Sequence, residues 1–468
     1  MRIVIIGCGP TGMGAAYRLH ELLSNNDATD VEITVLEKEN SAGGLAGTVK
    51  DDKGFLWDYG GHITFSHNFP YYDTAVNWAV QDWNTLARNC QVDMSYLFGE
   101  TGHRLVPYPA QFAVPLFPDS IKHKCLEELK QRQHSPPNGR PETFEQWVLD
   151  GFGPTLNDAF FEHYIPKVWT VEQKCLNCKW VGTRVAKIDT DRLEQLCNLN
   201  QDQLKTADYG WGPNKTFTFP KFGGTGAVWN SMMKKLPAAW FQLGKTVTKI
   251  DTETKEITFQ DKVTGEIESI GFDAIISSVP LDVLGRLTDL FQRTSLVHNQ
   301  VLITGVGLKK PHDPNNDHYS FFYYPDHRVP FHRMTFFSNY SGYVTPDPDK
   351  YWSLMCEASK KTTEEVDEKE LGRQTVDALI EKGLVKDWAQ VESVFTATLP
   401  YGYPIPSLDR DEELQRVHRL LEANQIYSRG RFGGWKYEIS NQDHSFMQGK
   451  EAIDRILLGA KETVYQLF

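Results

Sequence analysis

Apolar residues crowd the first positions of the chain, where RIVII (Arg2–Ile6) runs into three glycines, Gly7, Gly9 and Gly12. Helical spacing follows from Gly14 to Leu23, and a second β-branched run, Val31–Leu36, ends on Glu37. Strand, glycine turn, helix and strand in that order predict a parallel βαβ unit. Helical periodicity dominates from about Pro115 to Cys197, with a Pro/Gly-rich break at Ser135–Pro141. Period-two alternation takes over between Trp240 and Val279, in VTKID, KEITF, ESIGF and DAIISSVP. It continues through VLITGVGL, HYSFFYY and RMTFFSNY, with one helix near Glu370–Glu381. From Glu412 the pattern predicts a helix, and a final helix over Asp443–Leu467. No repeat or low-complexity linker separates these blocks, so interleaved domains are expected.

Composition narrows the function classes. The 468 residues exceed one compact core. Lys plus Arg is 49 against Asp plus Glu 61, a formal charge of −12, which argues against a nucleic-acid partner held through its phosphates. A local group of arginines can still hold an anionic small molecule. The glycines come too early for a secretory signal, and no apolar run is long enough to span a bilayer, so no membrane partner is expected. Seven scattered cysteines read as reduced thiols of a cytoplasmic protein, and Cys175 and Cys178 among them as buried structural ones. Cys175 and Cys178 form a lone CxxC that nothing completes, so no metal site is expected.

The glycines have separate tasks: Gly7 makes the tight turn, Gly9 lets a pyrophosphate approach, and Gly12 packs helix on strand. Glu37 ends the second strand, where an acid accepts from a ribose hydroxyl pair. KENSAGGLAGT then brings Gly43 and Gly44. Paired glycines so soon after the acid resemble the second signature of FAD-binding proteins of the amine-oxidase and disulfide-reductase superfamily. FAD is therefore the better reading than NAD. The fold class expected is α/β, a Rossmann-like FAD-binding domain with an inserted helical domain and an antiparallel β-sheet domain. The FAD-binding part would gather residues 1–85, 205–250 and 412–468, with a helical domain at 86–204 and the sheet domain at 251–411.

Longer motifs come in order: DYGGHITFSH (Asp58–His67), VPYPAQ (Val106–Gln111), PKVWTV (Pro166–Val171), GTRVA (182–186) and WGPNKTFTFPKFGGTG (211–226). FHRMTFFSNYS (Phe331–Ser341), YGYPIPSLDR (Tyr401–Arg410) and SRGRFGGWKYEISNQDHSFMQG (Ser428–Gly449) complete the set. Together they resemble the eukaryotic UDP-galactopyranose mutases over nearly the whole chain. That resemblance implies an isomerisation of a UDP-sugar, in which N5 of the reduced flavin attacks the anomeric carbon. Arg184 and Arg333 match the family's two diphosphate arginines. Tyr323, Tyr403 and Tyr437 match tyrosines that clasp the diphosphate, and Asn214 lies in the sugar-side motif. Tyr108 and Gln111 match the uridine side, Trp169 the aromatic of a mobile loop, and Phe65 a residue packed near the nucleotide. Gly61 and His62 match the loop that meets the isoalloxazine ring, while Arg431, Asn441 and Gln442 are expected on the cofactor side. Asp443 and His444 read as helix capping and cofactor-side hydrogen bonding. Mobile segments are expected at Trp169–Asn177 or 208–214.

One position departs from the pattern. Asp93 stands where related enzymes offer an arginine that helps to dock NADPH, and an acid cannot replace a cation facing a phosphate. NADPH stays a candidate reductant, with Arg88, Arg104 or Arg431 as substitutes. A different UDP-sugar, a flavin oxidase of the amine-oxidase type and a non-catalytic FAD-binding protein stay open, as does a homo-oligomeric state.

Overall fold

The structure is a computed structural model and describes residues 1–134, 139–182, 184–185, 187–207 and 216–467. Asn214, and the segment 208–214 expected to be mobile, lie outside the described residues.

The first strand, Arg2–Ile6, is the centre of a five-stranded parallel sheet. Its order is Ile426–Ser428, Ala274–Ser277, Arg2–Ile6, Glu32–Glu37 and Phe241–Leu243. Alternate residues enter opposite layers, as the pleat requires. Ile3, Ile5, Val35 and Ile276 pack under the helices Pro10–Ser24 and Gln442–Leu458. Val4, Ile6, Leu36 and Ile275 pack under Leu281–Thr288 and Arg410–Ala423. A Cβ on Gly14 would lie 2.0 Å from the Phe446 carbonyl oxygen, and one on Gly449 would lie 1.9 Å from that of Thr11. The last helix therefore rests backbone to backbone on the first. It ends at Leu458, nine residues before the expected Leu467, because Gly459 adopts φ +66 and closes it.

The second body is a large, mainly antiparallel sheet. Val391–Leu399, Val297–Lys309, Tyr351–Lys361, Arg333–Thr335, Phe321–Tyr323, Cys90–Asp93 and Leu105–Pro107 follow in spatial order. Phe321–Tyr323 and Cys90–Asp93 pair in parallel. Two of these strands thus come from the segment expected to be helical. RMTFFSNY is not one strand: pairing stops at Thr335, and Phe337–Tyr340 turns into a short helix that buries Phe337 and Tyr340 against Phe219. The helical layer includes Asp119–His134, Phe144–Phe152, Glu162–Trp169 and Thr190–Cys197. All seven cysteines are unpaired; Cys8, Cys90, Cys125 and Cys356 are buried and Cys197 is half-buried. Cys175 is exposed and Cys178 half-buried, which corrects the expectation for that pair.

Candidate active site

The N-terminal turn is a cradle built of backbone. Gly7 has φ +102, and a Cβ there would stand 2.2 Å from Ser278 Oγ. A Cβ on Gly12 would meet the Gly7 carbonyl oxygen at 1.9 Å, so helix and strand touch at that point. Gly43, with φ +121, donates its N–H to the Cys8 carbonyl at 2.9 Å, and Gly9 faces Gly43 across ordinary contact distance. The two glycine loops thus lie against each other. Helix Pro10–Ser24 opens beside them with no side-chain cap and Pro10 in its first turn, leaving its positive end open to an anion. Glu37 is buried and accepts from the Cys8 N–H at 2.7 Å and the Glu39 N–H at 2.9 Å, while burial raises its pKa. The residues fit a dinucleotide, with pyrophosphate at the glycines and an acid beyond them.

A second group of residues is cationic and aromatic. Arg431 is half-buried, and burial lowers its pKa; Tyr403 and Tyr437 oppose that shift, while Arg184 and Arg333 add to it. Three guanidinium groups therefore feel one another, an arrangement that an anion relieves. Arg184 donates to Asn441 Oδ1 at 3.2 Å and to the Glu438 carbonyl at 2.8 Å, and its guanidinium lies 5.1 Å from the Tyr437 ring centre. Arg431 lies 5.8 Å from the centre of Tyr403. Tyr403 and Tyr437 meet at 5.9 Å, and Tyr108 and Tyr323 at 4.7 Å. Burial raises the pKa of Tyr108, Tyr323 and Tyr403, which keeps these hydroxyls protonated as donors. Trp169 is 2% exposed, with its ring 4.8 Å from Tyr437 and 5.9 Å from Tyr403. It forms the wall behind the tyrosines. Gln111 is buried, and the Phe65 ring lies tilted against His67 with centres 4.9 Å apart.

Arg333 is held from below. Its Nε and Nη2 donate to Glu357 Oε1 and Oε2, both at 2.7 Å, and Glu357 is 2% exposed. The Gly61 N–H donates to the same Oε1 at 2.9 Å. One carboxylate thus fixes both the arginine and the Gly60–His62 loop. Burial works against the Arg333 charge, but Glu357 outweighs it and holds the pKa well above the usual value. Asn299, fully buried, is a second support. It donates to the Val168 carbonyl at 2.9 Å and accepts from the Tyr403 N–H at 2.8 Å. Neither residue was expected from the sequence. The available signal was a charged or amide side chain inside an otherwise apolar strand.

His62 lies next to this carboxylate, and its Nδ1 is buried without a hydrogen-bond partner. Burial, with Arg431 and Arg333 adding to it, lowers its pKa to about 3, so it is neutral at pH 7. The unfolded chain protonates this histidine near pH 6.5 while the native one does not. Its stability contribution is therefore whole above pH 6.5 and is lost as pH falls toward 3. Calorimetry between pH 7 and 4 is expected to show a smaller drop in Tm for His62→Gln than for the unsubstituted protein. Equal slopes would mean that His62 protonates in the folded state.

Asp93 is fully buried and does not face this group. Lys382 Nζ lies 2.7 Å from its Oδ2, while its Oδ1 accepts from the N–H groups of Ser95 and Arg104. Gln442 accepts from Trp229 Nε1 at 3.1 Å and donates to the Ile63 carbonyl. Asp443 caps no N–H of its own helix and instead accepts the His67 N–H and ring nitrogen, each at 2.8 Å. The ligand atoms of His67, Asp443 and His444 lie within 4.8 Å of one another, but at the positive end of a helix, which disfavours a cation.

Comparisons with known proteins follow the same lines. The family model of flavin containing amine oxidoreductases matches residues 10–379. A crystal structure of reduced UDP-galactopyranose mutase is similar over 99% of this chain and 95% of that one, at 36% identity and a TM-score of 0.89. A CLA-producing fatty acid isomerase from P. acnes shares the fold at 15% identity and a TM-score of 0.59, over 97% and 98% of the two chains. An oxidoreductase from Methanosarcina mazei does so at 14% identity and a TM-score of 0.59, over 95% and 98%. No helix among the described residues is long and apolar enough to cross a membrane.

Proposed function

The chain belongs to the flavin containing amine oxidoreductases and, within them, to the UDP-galactopyranose mutases, and from that membership we propose that its arginine–tyrosine site holds a UDP-sugar beside a bound FAD. The observation that carries the reading is that Arg333 and Arg431 lie close enough to Tyr403 to act on its hydroxyl, while Arg184 lies over the Tyr437 ring. Gly7, Gly9, Gly12, Gly43 and Gly44 would hold the FAD pyrophosphate and Glu37 its ribose, with Gly61, His62, Asn441 and Gln442 toward the ring system. When bound and reduced, FAD supplies the nucleophile for the anomeric carbon.

The chain's own residues do the rest. A diphosphate that leaves the sugar gains negative charge, and fixed guanidinium groups stabilise that charge without reorganising. Arg333 is aimed by Glu357, and Arg184 by Asn441 and the Glu438 carbonyl. Protonated Tyr323 and Tyr403 would donate to the same oxygens, with the Tyr437 ring beside them. Neutral His62 adds no charge to oppose the flavin. Isomerisation consumes no electrons, so the reductant acts once. NADPH remains one such reductant, though Asp93 is spent on Lys382 and the Arg104 guanidinium stacks on Phe98 at 4.5 Å.

Anaerobic protein reduced with dithionite and given UDP-galactofuranose is expected to yield UDP-galactopyranose on nucleotide-sugar chromatography, with the oxidised protein inactive. Absence of conversion in flavin-loaded protein that still binds UDP would overturn galactose as the sugar.

A further inference from the structure

Arg88 follows strand Trp83–Ala87 and leads into Cys90–Asp93, beside the tyrosine pair of the site. Its surroundings differ from those of Arg333, Arg410 and Arg429 and resemble those of Arg431, which also has tyrosines and no carboxylate beside it. Arg333 has Glu357, Arg410 has Glu438 and Asp411, and Arg429 has Glu422 and Glu462. The groups that favour the Arg88 charge are the Cys90 thiol and the phenols of Tyr323 and Tyr108, and no carboxylate is among them. Its Nε is buried and has no hydrogen-bond partner. A guanidinium buried without an anion is costly, and an orphaned buried donor calls for an acceptor that arrives from outside.

The acceptor's place is indicated by two contacts. The Arg88 and Arg333 guanidinium carbons each lie 5.7 Å from the centre of the Phe321 ring. Phe321 pairs in register with Cys90 across the parallel strands, which brings Arg88 to the ring. Tyr108 and Tyr323, both close enough to feel the Arg88 charge, lie ring against ring at a tilt with centres 4.7 Å apart. Glu357 neutralises Arg333 but does not reach Arg88.

We propose that Arg88 is a further phosphate-binding residue of the site, donating to the diphosphate of the nucleotide sugar from the Tyr108–Tyr323 side. The proposal rests on the UDP-sugar reading above. A planar fork of N–H groups suits phosphate oxygens, and the bound dianion supplies the charge that the protein withholds.

The test is Arg88→Met, which keeps the length of the stem and removes the charge. Because that charge has no carboxylate beside it among the described residues, only the Cys90 thiol and two phenols, Tm is expected to stay or rise, with flavin content unchanged. UDP binding, followed by calorimetry, is expected to weaken about tenfold or more, while uridine binding is unchanged. Arg88→Lys should fall between the two. UDP affinity within twofold of the unsubstituted protein would overturn the proposal. So would a fall in Tm, which would make Arg88 structural, or a loss of flavin, which would assign it to the cofactor. If UDP affinity holds and only reduction by NADPH fails, Arg88 serves the reductant and the proposal is again overturned. Failure of the unsubstituted protein to bind UDP would instead strike the UDP-sugar reading.

Discussion

Arg333→Ala is expected to lower kcat/KM of the reduced enzyme about a hundredfold to a thousandfold, the usual loss when a preorganised donor is removed from developing negative charge. Part of that loss has a second source. Without Arg333, the Glu357 carboxylate keeps the Gly61 N–H as the one donor left to its side chain among the described residues, beside the proposed diphosphate site. A buried carboxylate without its partner destabilises the fold by about 3–5 kcal/mol and repels the substrate. Arg333→Ala/Glu357→Gln should therefore be the better enzyme of the two, recovering about tenfold of the lost kcat/KM and most of the lost Tm. The glutamine oxygen still accepts from Gly61, so the loop stays placed. Glu357→Gln alone should lower activity, because Arg333 loses one of its two aimed bonds. The measurement is steady-state kinetics under dithionite on the two singles and the double. Strictly additive losses would show that Glu357 does not act through Arg333.

The same pair marks the limit of what the chain reveals as a sequence. The glycine turn, the acid at Glu37 and the motif arginines are local signals, each readable within about ten residues. The structure brings Arg431, expected on the cofactor side, close enough to Arg184 and Arg333 to feel their charges. Glu357 is 24 residues from Arg333, and its role follows from antiparallel register, where Arg333 stands opposite Glu357. Period-two alternation gives a strand but not its partner or its offset. Asn299 and Lys382 escaped for the same reason, since each acts on a residue more than a hundred positions away. Cys90–Asp93 and Leu105–Pro107 are short, and nothing within them tells a strand from a loop in a helical region. The early stop of the last helix was legible in Gly459, whose positive φ ends it.

Asp93→Asn is expected to lower the free energy of unfolding by about 3–5 kcal/mol, because it takes from the buried Lys382 ammonium the carboxylate it touches. Lys382 is as enclosed as its partner, and its other acceptors, Ser95 Oγ and the Gly102 carbonyl, are neutral. Asp93→Asn/Lys382→Met removes both charges and should recover most of the loss, since two well-packed neutral side chains replace a pair whose attraction largely offsets its own desolvation. Urea unfolding of the two variants measures this, and a change below about 0.5 kcal/mol in Asp93→Asn would show that the pair is solvated. Mutase activity at a temperature where the variants stay folded should be unchanged, because the carboxylate is spent on Lys382 and on the N–H groups of Ser95 and Arg104. The pair also constrains the neighbouring chemistry. Asp93→Arg would set two cations against each other in a buried layer, so a cation at this position requires loss of Lys382 as well. An NADPH-docking arginine here is thus two substitutions away, and the first of them alone destabilises the sheet.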